Sequence, residues 1–213
     1  EGELMTVLGP SGCGKTTALK IIAGLEEADK GKVFLEGNDV TEKRPEERDI
    51  GMVFQRPSLF PRMTVEENIE YALSPHTDDR VTREERIEKC LKLVNMIEAR
   101  NKYPEELSGG EARRVELART VSYKPDVILL DEPLTGLDRS LRREMRKEIK
   151  RVQRGTGTTT VFVTHNQEEA IYLSDRMAVL RDGKKEQEGT PEELYRHPEN
   201  EFVAEFMGES VRF

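Results

Sequence analysis

Two stretches of this sequence are spaced for phosphate chemistry. Gly9-Pro10-Ser11-Gly12-Cys13-Gly14-Lys15-Thr16 sets glycines ahead of a lysine and a hydroxyl residue. In this phosphate-loop pattern, backbone N–H groups converge on a polyphosphate at a helix N-terminus. Lys15 then reaches the outer phosphates, Thr16 places its hydroxyl on Mg²⁺, and Thr17 follows in the first helical turn. Cys13 fills a permissive loop position and has no catalytic reading. In the second stretch, the apolar run Val127-Ile128-Leu129-Leu130 ends on Asp131, with Glu132 next. Two such carboxylates alone read as loop polarity. Beside a phosphate loop, Asp131 reads as a metal ligand and Glu132 as the base that takes a proton from an attacking water.

These residues need elements to hold them. Glu3 to Leu8 reads as a short buried strand feeding the glycine loop, and Lys15 to Ala23 as the helix after it, with Leu19, Ile22 and Ala23 on one face. Lys32 to Leu35 and Ile50 to Phe54 are further strand candidates. From Thr64 to about Tyr123 the pattern is helical: Thr82 and Glu85 form a capping box, and Ile87, Cys90, Leu91, Val94 and Ile97 share a stripe. Val127 to Leu130 and Thr158 to Val163 have the aliphatic character of parallel strands buried on both faces. Between them lies a helix with Asp138 as N-cap and Leu141, Met145, Ile149 and Val152 inside. Met177 to Gly189 reads as a hairpin turning at Asp182-Gly183, and Thr190-Pro191-Glu192-Glu193 as a capped helix start.

The glycine loop and Asp131-Glu132 define a P-loop NTPase, a class that spans helicases, recombinases and kinases. Leu107-Ser108-Gly109-Gly110-Glu111, followed by Arg114-Val115-Glu116-Leu117-Ala118-Arg119, resembles the signature motif of the ATP-binding-cassette (ABC) family. Ser108 to Glu111 also reads as a capping box, and both readings hold. A helix start of this kind exposes N–H groups and about half a positive charge, a second anion site in one chain.

The resemblance covers nearly the whole chain. It implies an α/β fold, a mostly parallel sheet flanked by helices, with a helical subdomain inserted between the P-loop and the Walker B strand. The chain is then a single domain, 1–213, with its core at about 1–61 and 124–213 and the helical subdomain at about 62–123. It implies ATP and Mg²⁺ as cofactors. It also implies a second copy packed head to tail, each ATP lying between one P-loop and the partner's Ser108, Gly109 and Gly110. Gln55 resembles the glutamine that contacts Mg²⁺ and water, His165 the γ-phosphate histidine, and Asp138 the D-loop aspartate. Alone, these three would read as a loop amide, a strand-end histidine and an N-cap.

Glu111 stands where the family usually has glutamine. Unless it turns toward the Ser108 N–H, its charge should modestly weaken ATP-driven closure. Only eight residues precede Gly9, so the upstream aromatic that stacks on adenine is missing from this sequence and N-terminal truncation is expected.

The run from Asp131-Glu132-Pro133-Leu134 through His165-Asn166-Gln167-Glu168-Glu169-Ala170 to Gly189-Thr190-Pro191-Glu192-Glu193-Leu194-Tyr195 is similar to bacterial and archaeal importer ATPases for sugars and similar solutes. That similarity implies transmembrane permease partners, a cytoplasmic place on the inner face of the membrane, and a C-terminal regulatory domain that would begin about where this sequence stops. Leu59 and Phe60, in Arg56-Pro57-Ser58-Leu59-Phe60-Pro61, read as a mixture of two roles, anchoring the helical part to the core and lining a groove for a permease helix.

Composition fits this reading. Charged residues make up 36% of the chain, against about 25% in an average domain. The net charge of −8 argues against nucleic acid as a partner. Runs such as Arg142-Arg143-Glu144 read as solvated helix faces. Two cysteines far apart fit a reducing compartment rather than a disulfide framework. The competing class, signature-bearing ATPases of DNA maintenance or the ribosome, would need long coiled coils or a second cassette, and neither occurs in this sequence.

Overall fold

The computed structural model describes residues 2–77 and 79–208. Residue 1 and residues 209–213, assigned above to the core, lie outside them. A six-stranded sheet runs in the order β4 (Ile50–Val53), β5 (Val127–Asp131), β6 (Thr159–Thr164), β1 (Leu4–Leu8), β7 (Arg176–Arg181), β8 (Lys184–Gly189). All neighbours are parallel except β7 and β8, which form the antiparallel hairpin expected around Asp182-Gly183. The fold is thus α/β with a mostly parallel sheet, as read from the sequence.

Alternation along β5 shows why the central strands are apolar throughout. Ile128 and Leu130 pack into one cluster with Val115, Met145, Ile149 and Phe162, whereas Leu129 faces Leu19, Ala23 and Val163 on the other side. The first cluster seats α2 (Val65–Leu73), α3 (Arg80–Leu93), α4 (Gly109–Ser122) and α5 (Arg139–Thr156), and the second seats α1 (Lys15–Ala23). A third cluster joins Leu8, Met177 and Val179 to α6 (Gln167–Leu173), α7 (Pro191–Arg196) and α8 (Glu201–Gly208).

Two expectations need correction. Of Lys32 to Leu35, only β2 (Phe34–Leu35) is strand, and it pairs with β3 (Asn38–Asp39) in a separate two-stranded ribbon. With Phe34 58% exposed, the run has no buried face to bring it into the main sheet. Helix α3 does not begin at a Thr82 box but at Asp79, whose carboxylate accepts from the Val81 and Thr82 N–H groups. A carboxylate both bonds these donors and opposes the helix dipole, so it outcompetes a hydroxyl three residues later.

Candidate functional site

Parallel strands place their C-terminal ends along one edge, and the loops that leave that edge carry the predicted residues. Register keeps the ends level: Leu8 pairs with Thr164 and Asp131 with Val163. The glycine loop leaves β1, Gln55 follows β4, Asp131 and Glu132 end β5, and His165 follows β6. A cleft of about 350 Å³ opens there, lined by Ser11, Gly12 and Gly14 of the loop, by Lys15, Thr16 and Thr17 of α1, and by Gln55, Asp131 and Glu132.

The start of α1 is left unsatisfied. Gly14 caps it at φ 96°, a left-handed conformation that only glycine adopts freely, and no side chain accepts from the first-turn N–H groups. Lys15 is buried, and its ammonium donates to the carbonyls of Gly9 (2.9 Å) and Pro10 (2.8 Å). Cys13 is a buried free thiol with its Sγ 3.9 Å from the same ammonium.

Across the cleft, the Thr16 hydroxyl donates to Asp131 Oδ1 at 2.9 Å. Burial pushes the Asp131 carboxyl above its ordinary range; the Thr16 bond opposes this, and the adjacent Glu132 charge adds to it. A buried carboxylate short of countercharge beside a hydroxyl is a hard oxygen donor pair suited to Mg²⁺. No group of three or more His, Cys, Asp or Glu among the described residues could hold a metal unaided.

Glu132 sits at φ 42°, uncommon for a side-chain-bearing residue, with its N–H bonded to Val163 O at 3.0 Å. Its Oε2 accepts from the Thr135 hydroxyl at 3.0 Å and lies 3.2 Å from His165 Nδ1. The carboxylate is thereby held by one oxygen, and Oε1 is left over.

Among the described residues lining the cleft, Ser108, Gly109, Gly110 and Asp138 do not figure. They occupy two neighbouring helix starts. Asp138 caps α5, accepting from Ser140 and Leu141 N–H. Ser108 caps α4, and Gly110 lets α4 approach α5, since a Cβ there would lie 2.6 Å from Leu141 Cδ1. Glu111 does turn back: its Oε2 accepts from the Ser108 N–H at 2.8 Å and the Ser108 hydroxyl at 2.7 Å. These bonds, the hydroxyl's first, hold its carboxyl below the usual range.

Sequence reasoning missed the buried pair that ties α4 to the Gln55 segment. Arg113, 3% exposed, donates to the carbonyls of Phe54 and Gln55 (both 2.5 Å) and to Glu116 (2.6 Å), while Glu116 accepts from the Ser58 N–H and hydroxyl. Charged residues at i and i+3 within a charged helix look solvated, so no local signal marks this pair as buried. Arg142 likewise is not simply solvated, since it donates to Leu137 O and lies 3.6 Å from Glu169. Leu59 packs on the main core, whereas Phe60 lines a surface groove of about 440 Å³ with Tyr71 and Arg119.

A parallel sheet with a glycine loop at its C-terminal edge, a strand-end carboxylate pair and helices on both faces defines a P-loop nucleotide-binding domain. Within that class the chain belongs to the ABC transporter family, which it matches over residues 1–135. It is 49% identical over 208 residues to the spermidine/putrescine import ATP-binding protein PotA of Vibrio cholerae, covering 98% of this chain and 55% of that protein. It is 48% identical over 210 residues to the sulfate/thiosulfate import ATP-binding protein CysA 2 of Chromobacterium violaceum, covering 99% and 57%. The same identity holds over 213 residues with the Fe(3+) ions import ATP-binding protein FbpC of Fusobacterium nucleatum, again covering 99% and 57%. The chain spans a little over half the length of these relatives.

Proposed function

We propose that this chain is the ATP-hydrolysing subunit of a membrane importer. The observation that carries the reading is the single edge on which the open α1 N-terminus, the Thr16–Asp131 pair and the Glu132–His165 pair meet. The triphosphate lies along the loop from Gly9 to Gly14, and Lys15 exchanges the Gly9 and Pro10 carbonyls for phosphate oxygens. Thr16 and Asp131, with Gln55 lining the same cleft, are the residues that would hold magnesium, which would supply charge neutralisation to the phosphates. Glu132, fixed through Oε2, takes the proton of the attacking water on Oε1. His165 orients that carboxylate and faces the departing phosphate.

Ser108, Gly109 and Gly110 stand outside this cleft, so they serve a second copy. Two chains packed head to tail would close each ATP between the P-loop of one and the α4 start of the other, with Asp138 at the seam. Residues 62–123 act as the helical subdomain, tied to the core through Arg113 and Gln55. The Phe60 groove, with Tyr71 edge-on at 4.7 Å and the Arg119 guanidinium 5.6 Å over the Phe60 ring, suits a helix from a transmembrane permease. No helix among the described residues is long and apolar enough to cross a membrane, so membrane work falls to that partner at the inner face. The cargo is a small solute. Polyamines, sulfate and ferric ion are the cargoes in the names of the three relatives above, which do not point specifically to sugar.

Turnover of the Glu132→Gln variant tests the reading. ATP binding should survive, while hydrolysis falls by about 10²- to 10⁴-fold, the contribution of a positioned general base. Undiminished hydrolysis would remove Glu132 from the reaction.

A further inference from the structure

A cavity of about 620 Å³ lies between the C-terminal half of α3 and the ends of α4 and α5. Lys124 and Thr158, which lead into β5 and β6, help line it, so it opens on the sheet edge opposite the nucleotide cleft. Cys90, Leu93 and Val121 give it apolar walls. Five cations surround them. Lys92 and Arg151 are paired with Glu88 and Glu148, but among the described residues Arg86, Lys89 and Lys124 make no side-chain ion pair or hydrogen bond.

Three cations with no side-chain partner among the described residues converge here in a chain whose net charge is −8. The negative ends of α3 and α4 account for Lys92, in the last turn of α3, and Lys124, just past the end of α4, but not for Arg86 and Lys89, which stand at least a turn before Leu93. All three act on the same floor: burial pushes the Cys90 thiol up to about 11, against the pull of Lys89, Arg86 and Lys124. The volume is that of a small-molecule site, with apolar walls and a few charged groups at the mouth.

We propose that this cavity binds a small anionic amphiphile, its apolar body against Leu93, Val121 and Cys90 and its carboxylate, phosphate or sulfonate head among Arg86, Lys89 and Lys124. The inference does not rest on the nucleotide chemistry. Calorimetric titration with laurate, below its micellar concentration, tests it, with dodecanol as the neutral body of equal length. Laurate should bind at least tenfold more tightly than dodecanol, slow amide exchange at the ends of α4 and α5, and be indifferent to saturating ATP. The Lys89→Gln/Lys124→Asn double variant, whose asparagine suits the φ of 58° at position 124, should weaken laurate about tenfold and leave dodecanol unchanged. If that variant does not fold, Arg86→Gln gives the same comparison. Absent laurate binding, equal affinity for the two probes, protection confined to α8 or the Phe60 groove, or competition by ATP would each overturn the proposal.

Discussion

Helices α1 and α4 both begin on glycine-bearing loops and both present an N-terminus at the surface, yet their first turns are built in opposite ways. The α1 turn has a left-handed glycine as cap, no capping side chain and no acidic residue, with Thr17 at its third position. The α4 turn has a complete capping box, with Glu111 at the third position bonded back to Ser108. An open turn keeps its N–H donors and partial positive charge for a ligand, whereas a capped turn has already spent some of both within the chain. A nucleotide should therefore bind first, and alone, at α1. The α4 start would add its remaining donors only when a second copy delivers it to a phosphate already in place.

The strongest way to break this contrast is to give α1 the feature that α4 has. Thr17→Glu places a carboxylate at the third position of the open turn. A unit charge about 6 Å from a phosphate costs roughly 2–3 kcal/mol at a surface-like dielectric, so ATP affinity should fall about 30- to 150-fold. Calorimetry measures this directly, and an unchanged affinity would mean that the α1 turn does not face the nucleotide. Removing the cap of the other turn is the converse test. Ser108→Ala should cost about 1 kcal/mol of stability and lower the melting temperature by about 2–4 °C. ATP binding by the isolated chain should not change.

The open cleft carries its own unfavourable charge, which sharpens the comparison from another side. Asp131 has a raised carboxyl pKa when folded, so stability is lost as pH rises from the ordinary carboxylate range through that value. Asp131→Asn keeps an acceptor for the Thr16 hydroxyl and removes the charge. Without nucleotide it should melt about 1–3 °C higher at neutral pH, with the gain vanishing in acid. With magnesium and ATP the ranking should reverse, because the native carboxylate then has its countercharge. A variant less stable than the native chain at neutral pH and without ligand would show that Asp131 is not penalised there.

The elements that frame the cleft were legible because each carries a local signal. The glycine loop and the aliphatic run of β5 report through neighbours in sequence, as do, away from the cleft, the caps at Asp138 and Thr190. What could not be read depends on partners far along the chain. His165 against Glu132 and Arg113 reaching Phe54 and Gln55 are set by strand register and helix packing. The start of α3 failed for a different reason: Asp79 and Thr82 are both good caps three residues apart, and the Thr82–Glu85 box drew the reading past the charged cap that starts the helix.

Glu111 is where the contrast between the two turns is most finely balanced, and its substitution should have the smallest effect. The sequence alone gave its charge a cost unless it turned toward Ser108, and in the structure it does so, through both the N–H and the hydroxyl. Glu111→Gln retains an oxygen for those two donors and removes only the charge, so ATP-driven self-association should rise by about two- to fivefold. Sedimentation of the two forms at matched ATP, under conditions that prevent hydrolysis, measures it. The capping contribution has its own signature. Because the folded-state carboxyl lies below the ordinary range, its stabilisation of α4 is complete above that range and is lost as pH falls through the folded value. Any stability advantage of the native chain over the glutamine form should therefore disappear in acid. A tenfold gain in self-association would show that the bonds to Ser108 do not shield the partner's phosphate from this charge, and a loss would show that the carboxylate itself contributes to closure.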